Sequence, residues 1–243
     1  MAHIHNERVI RMRVLLIGGA SGIARSIASS VLDGGGEVVL AGRRRESLDA
    51  AVALLGPGAS AVVMDLADES SIAQAVSSVG SVDHVISLAA DHANGPIADL
   101  DGTAVRNAFD AKVIGPILLA KHFSPQVREG GSFLFFSGVA AWRPAPGLSV
   151  MATTNGAVAF LTEALAVELA PVRVNALSPG IVDSGAWDSM GPGKDKLFAD
   201  TARTNPVRRV GRPSDIAAAA LSLLTNTFVT GVTLHVDGGG RLA

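Results

Sequence analysis

Seven short runs of almost continuously apolar, mainly β-branched residues alternate with longer stretches of helical character. No other feature of this chain limits its possible folds so sharply. The runs lie at 13–17, 37–41, 60–64, 83–88, 132–136, 172–177 and 232–236. Strands apolar on both faces belong to a parallel sheet that is covered on both sides. Parallel neighbours need crossover connections, and the stretches at 22–33, 45–55, 69–79, 101–127, 151–169 and 214–224 supply helices for them. The expected class is α/β, with a doubly wound, parallel seven-stranded sheet and helices on both faces. Apolar residues make up 48% of 243, enough for a large core. No repeat, linker or charge block divides the chain, so 12–243 reads as one domain after a polar, flexible leader at 1–11. The stretch 183–212, rich in Gly, Pro and Asp, is the one long irregular segment. Loops of that length are often lids over a site; a tolerated surface excursion is the alternative.

Composition narrows the function. The formal net charge is −2 and no basic stripe stands out, so nucleic acid is not an expected partner. The absence of cysteine excludes disulfides, thiol catalysis and thiolate metal sites. The histidines are scattered, and only His3 and His5, in the polar leader, have close spacing; no metal site is expected. The leader is too charged for a secretory signal, and no apolar run approaches the ~20 residues of a membrane span. A cytoplasmic location and no membrane partner are the expectations.

The first strand runs directly into Gly18-Gly19-Ala20-Ser21-Gly22-Ile23-Ala24 and then a helix. Glycines let the backbone turn sharply and approach a pyrophosphate, and the helix N-terminus offers free N–H groups and partial positive charge. Between a first strand and a first helix this pattern is far more specific than glycines alone, and it makes the expected sheet Rossmann-like. The second strand ends in Ala41-Gly42-Arg43-Arg44-Arg45, where an NAD site usually carries an acidic residue for the ribose hydroxyls. Guanidinium groups suit the extra 2′-phosphate of NADP. Arg43 and Arg44 are the expected readers; a solvated basic helix start would put the wrong charge at a helix N-terminus.

With these motifs on view, the chain resembles the short-chain dehydrogenase/reductase family across about residues 12–243. Gly18 and Gly22 match the first two glycines of the family motif, and Ala24 replaces the third. Ser21 and Ile23 complete the turn. Asp65-Leu66 looks like the family's adenine-contacting pair, and Ala89 lies in the segment after strand four. Val174-Asn175-Ala176-Leu177-Ser178-Pro179-Gly180 is similar to the stretch after strand six. There the resemblance implies that Pro179, Gly180 and Val182 flank the nicotinamide. Ser184 stands where a threonine usually holds the carboxamide. The implied cofactor is NADP(H). A homodimer or homotetramer, joined through the long helices after strands four and five, is also implied, as is a small-molecule substrate.

The departures cluster at the catalytic positions. The chain contains no tyrosine at all. The family's Tyr-x-x-x-Lys aligns on Met151-Ala152-Thr153-Thr154-Asn155, and the catalytic serine position falls on Gly138, after Ser137. Leu88-Ala89-Ala90 replaces Asn-Ala-Gly, and Lys112 stands in place of the site asparagine. Carbonyl reduction needs a proton for the oxygen, which the tyrosine gives with a lysine cation lowering its pKa. Methionine has no such proton, and Asn155 brings no charge, although it still offers hydrogen bonds to a ribose.

Three side chains are candidates to take over. Lys112 shares a helical face with Phe109, Val113 and Pro116 by spacing, and a partly buried lysine can act as acid or base; a snorkelling or salt-bridged lysine is the alternative. His92 follows strand four at the edge of the cleft, or is a surface loop histidine. Arg143, after strand five, either binds an anionic substrate or is simply exposed. The leading function is an NADPH-dependent oxidoreductase with a non-standard site, reducing an imine or iminium or a conjugated, quinoid acceptor. The alternatives are a non-catalytic NADP(H)-binding protein and a non-redox lyase or isomerase using Lys112 or His92; fold alone does not choose among them.

Overall fold

The alternating runs become strands with both faces covered. The computed structural model describes residues 11–18 and 22–243. The leader at 1–10 and the inner glycine turn at 19–21, including Ser21, lie outside the described residues. The seven strands are β1 (Arg13–Ile17), β2 (Glu37–Gly42), β3 (Ala59–Val63), β4 (Val82–Ser87), β5 (Val127–Phe136), β6 (Arg173–Pro179) and β7 (Thr233–Val236). They form one parallel sheet in the order β3-β2-β1-β4-β5-β6-β7. Chain order reverses between β1 and β4, and a crevice at such a switch point is where open α/β sheets take ligands.

Among the described residues, eight α-helices connect and cover the strands: α1 (Gly22–Asp33), α2 (Arg45–Leu55), α3 (Glu69–Val79), α4 (Gly102–Phe109), α5 (Gly115–Phe123), α6 (Ser149–Glu168), α7 (Gly193–Thr204) and α8 (Pro213–Thr225). Alternate strand residues feed opposite cores. Val14 and Leu16 join Ile27, Val31, Ile216 and Ala220 from α1 and α8 on one face. Leu15 and Ile17 join Ile72, Leu119, Phe123 and Val158 from α3, α5 and α6 on the other. Ala93, Ala108 and Val150 make a third, small cluster that ties the loop after β4 to α4 and α6.

Three expectations need correction. The stretch 101–127 is not one continuous helix: α4 and α5 are separated by a π-turn at Asp110–Ile114, and β5 begins at Val127. Its i→i+5 bonding shifts the side-chain register, so α-helical spacing does not fix the direction of Lys112. The stretch 183–212 is not wholly irregular, because it holds α7. Leu197, Phe198 and Thr201 repeat at helical spacing there, with Asp195 in the first turn and Arg203 in the last; the Gly- and Pro-rich flanks hid them. Finally, α6 is long and apolar enough to cross a membrane by length and composition alone. In this fold it buries Val150, Val158 and Leu165 while packing on β6.

Candidate functional site

The carboxyl ends of β1, β2 and β4 surround a cavity of about 670 Å³. Gly18, Arg43, Arg44, Asp65, Leu66 and Ala89, all expected from the sequence, line it together. Gly18 has φ 93°, and a Cβ there would lie 2.2 Å from the Ala89 nitrogen. Only glycine lets the first strand end so close to the fourth. Asp65 accepts from the Ala67 N–H at 3.0 Å, and its own N–H donates to Ser71 Oγ at 3.0 Å, which fixes the turn after β3. Arg43 reaches Asp91 at 3.5 Å across the cavity. Asp91, Asn107, Asp110 and Ser47 also line it and were not singled out from the sequence. Asp91 follows Ala89-Ala90 directly, so the position after strand four was the available signal.

A second cavity, of about 440 Å³, is lined by Gly22, Arg25, Ser184 and Pro213 among others. A Cβ on Gly22 would come within 2.3 Å of the Ser184 carbonyl oxygen, so the base of the 183–212 segment is pressed onto the start of α1. Ile23 packs against the core beside it. Pro179, Gly180 and Val182 line neither cavity. Gly180 is held against Asp237, donating to the Val236 carbonyl at 3.1 Å, and Val182 is buried in a bridge to Gly211.

Lys112, Ser137, Gly138 and Asn155 meet at the N-terminal half of α6. Ser137 Oγ donates to the Asn155 carbonyl at 2.7 Å, and the Lys112 amine donates to the Ser137 carbonyl at 3.4 Å. A Cβ on Gly138 would lie 2.8 Å from Asn155 Nδ2, so the asparagine fills the space a serine side chain would need. Asn155 is 3% exposed and its Oδ1 has no hydrogen-bond partner among the described residues. Burial pushes the Lys112 amine down to about 8. The residue as a whole is half-buried. His92 is exposed on the loop after β4; partial burial of its ring and then the Lys112 charge lower its pKa, with Asp91 opposing. Arg143 donates to the Gly240 carbonyl at 2.9 Å, tying the loop after β5 to the chain's end rather than facing an open cleft with both nitrogens free.

A dinucleotide fits this arrangement. The close approach at Gly18 leaves the strand ends open to a pyrophosphate, and the arginines line the cavity beside it. Such a fold and cavity define a nucleotide-binding α/β protein. A family model described as Enoyl-(Acyl carrier protein) reductase matches residues 18–240. Dehydrogenase/reductase SDR family member 4 of Homo sapiens is 33% identical over 243 residues, covering 93% of this chain and 86% of that protein. A solved small-chain dehydrogenase in complex with NADPH superposes with a TM-score of 0.80 at 31% identity, covering 96% of this chain and 100% of that one. The MalC Reductase/Diels-Alderase from Malbranchea aurantiaca has a TM-score of 0.90 at 27% identity, covering 97% and 98%. The chain belongs to the short-chain dehydrogenase/reductase family, oxidoreductases that bind a nicotinamide dinucleotide.

Proposed function

We propose that the protein is an NADPH-dependent reductase whose proton chemistry runs through Lys112 instead of a tyrosine. The observation that carries this reading is the Lys112 amine bonded to the Ser137 carbonyl, beside Asn155 and Gly138. The cation expected at position 155 in this family has in effect moved to position 112. Arg43 and Arg44, where a ribose-binding acid is missing, support NADPH over NADH, and the NADPH complex of the similar dehydrogenase is consistent with it.

When bound, the nicotinamide supplies a hydride. Asn155, whose Oδ1 is buried and unpartnered, would hold a ribose hydroxyl of the cofactor. Met151, at the position that aligns with the family's tyrosine, has no proton to give. The Lys112 ammonium stabilises negative charge on the acceptor and delivers the proton, as its lowered pKa allows near neutral pH. A fixed buried cation disfavours a cationic iminium ground state. The acceptor class is therefore a neutral imine or a conjugated, quinoid system, whose charge develops during transfer. A related fold described as a reductase and Diels-Alderase is consistent with conjugated substrates. His92, being exposed, serves at most to pass protons between Lys112 and solvent.

The test is a panel of imines, quinones and simple ketones with 4-deuterated NADPH. Label should appear in imine or quinone products, and simple ketones should turn over poorly. Lys112→Met should lower kcat by about 10²-fold or more, and kcat/KM of the unaltered protein should fall as pH rises through about 8. Tight NADPH binding with no turnover on any acceptor would favour the non-catalytic alternative. The reading includes self-association through α5 and α6. Phe160 and Val167 on α6 are 75% and 81% exposed, and Ile117 on α5 is also exposed. Phe160→Glu should convert a dimer or tetramer to monomer in light scattering.

A further inference from the structure

The 670 Å³ cavity carries a charge that its ligand would not choose. Asp91 lines the wall at the carboxyl end of β4, and its carboxylate is 3.5 Å from the Arg43 guanidinium at the carboxyl end of β2. β1 lies between those two strands and is followed directly by Gly18. The ion pair therefore crosses the crevice over the strand end that a pyrophosphate must approach. Arg44 lines the same cavity and has no carboxylate partner among the described residues. One arginine is thus open to an incoming phosphate, and the other is already engaged by an acid.

We propose that Asp91 is a specificity-determining residue of the dinucleotide site, an internal competitor that holds Arg43 until a phosphate on the adenosine ribose takes its place. The inference rests on the reading of Arg43 as the contact for the 2′-phosphate. A dianionic phosphate offers Arg43 more charge and more acceptor oxygens than one carboxylate does. Exchange of one for the other is then favourable but partly offset by the cost of opening the pair. A dinucleotide with a free 2′-hydroxyl has nothing to exchange, so Arg43 stays with Asp91 and contributes nothing to its binding. Asp91 therefore lowers affinity for the phosphorylated cofactor selectively and speeds its release, because the carboxylate recaptures Arg43 as the phosphate leaves. Both side chains are partly exposed, which limits the effect to that of a surface pair.

The experiment is a double-mutant cycle on Asp91 and Arg43, read by isothermal titration with NADPH and NADH and by stopped-flow release of NADP⁺. Asp91→Asn should tighten NADPH by about two- to fivefold, slow NADP⁺ release by a similar factor and leave NADH within error. The gain should shrink as salt is raised to ~1 M. In the Arg43→Ala background, Asp91→Asn should leave NADPH unaltered or improve NADPH and NADH equally through lost repulsion. Unchanged or weaker NADPH binding in Asp91→Asn, with Arg43→Ala still selectively weakening NADPH, overturns the competitor role and leaves the reading of Arg43 standing. Equal losses of NADPH and NADH in Arg43→Ala overturn that reading instead. Melting curves of the variants, expected to match the parent, exclude a folding defect as the source of any loss.

Discussion

Replacing Lys112 by methionine should make the protein more stable and less active at once. The amine titrates at about 8 where a free lysine titrates at 10.5, with burial as the cause. That difference corresponds to about 3 kcal/mol of penalty for the charged form at neutral pH. Methionine keeps the length and packing of the stem without the charge. It also leaves the Ser137 carbonyl without its 3.4 Å donor, at a cost of about 1 kcal/mol. The net gain is about 2 kcal/mol, or roughly 4–8 °C in Tm for a chain of this size. The sign with pH follows from linkage. Below pH 8 the lysine is charged in both folded and unfolded states and the full penalty applies; between pH 8 and 10.5 the folded state sheds its proton and stability recovers. The advantage of Lys112→Met should therefore be large at pH 7 and nearly gone at pH 10. Melting curves at both pH values, at fixed protein concentration, measure it. A lower Tm for the variant at pH 7, or a gain that does not depend on pH, would refute the argument that this amine is held in the cleft at an electrostatic cost.

Three further outcomes are expected. His84, buried and bonded to Ser132 Oγ at 2.9 Å, is pushed down to about 4 by desolvation and then by the Arg173 charge; it contributes about 3 kcal/mol of stability above pH 6.5 that is lost as pH falls toward 4, and urea titrations of His84→Gln should show a shallower decline across that window. Gly138→Ser places a Cβ 2.8 Å from Asn155 Nδ2 and should cost about 1–3 kcal/mol, with Asn155→Ala in the same chain restoring most of it in thermal melts. Gly18→Ala, at φ 93° and against the Ala89 backbone, should cost more than about 2 kcal/mol and abolish NADPH binding by calorimetry.

The sheet was legible because its strands are apolar on both faces. Val14 to Ile17, and Val38 to Ala41, can only be buried between two helical layers, and the glycine tract then marked where the first crossover begins. α1, α2 and α3 match the sequence reading residue for residue. Legibility failed where local pattern and tertiary setting disagree. Nothing in Asp110-Ala111-Lys112-Val113-Ile114 announces a π-turn; Gly115, whose Cβ would clash with Leu66 at 2.8 Å, lets that segment press against the turn after β3. α7 was hidden because a polar helix between Gly and Pro residues has little apolar periodicity. The lining of the larger cavity was readable from single positions, since Gly18, Arg43, Asp65 and Ala89 all follow strand ends. Asp91 was not, because its meaning comes from a residue 48 positions away across β1.

Gly138 and Asn155 are not independent of each other. Asn155 stands where a serine at 138 would collide with it, so the glycine and the asparagine are two halves of one steric solution. On the proposed reading, an uncharged residue at 155 leaves the cleft without the charge that proton transfer to an acceptor requires, and Lys112 supplies one beside the same few residues through the Ser137 carbonyl. An enclosed ammonium is an expensive thing to keep. A protein that used the dinucleotide only as a ligand would gain stability by replacing Lys112 with an apolar side chain of similar length, because the bond to the Ser137 carbonyl offsets only part of the cost of burying the charge. Its presence is best accounted for by charge that develops elsewhere in the cleft during a reaction. On the proposed reading, the missing tyrosine goes with an acceptor whose developing charge a lysine can meet, in place of one needing a phenolic acid.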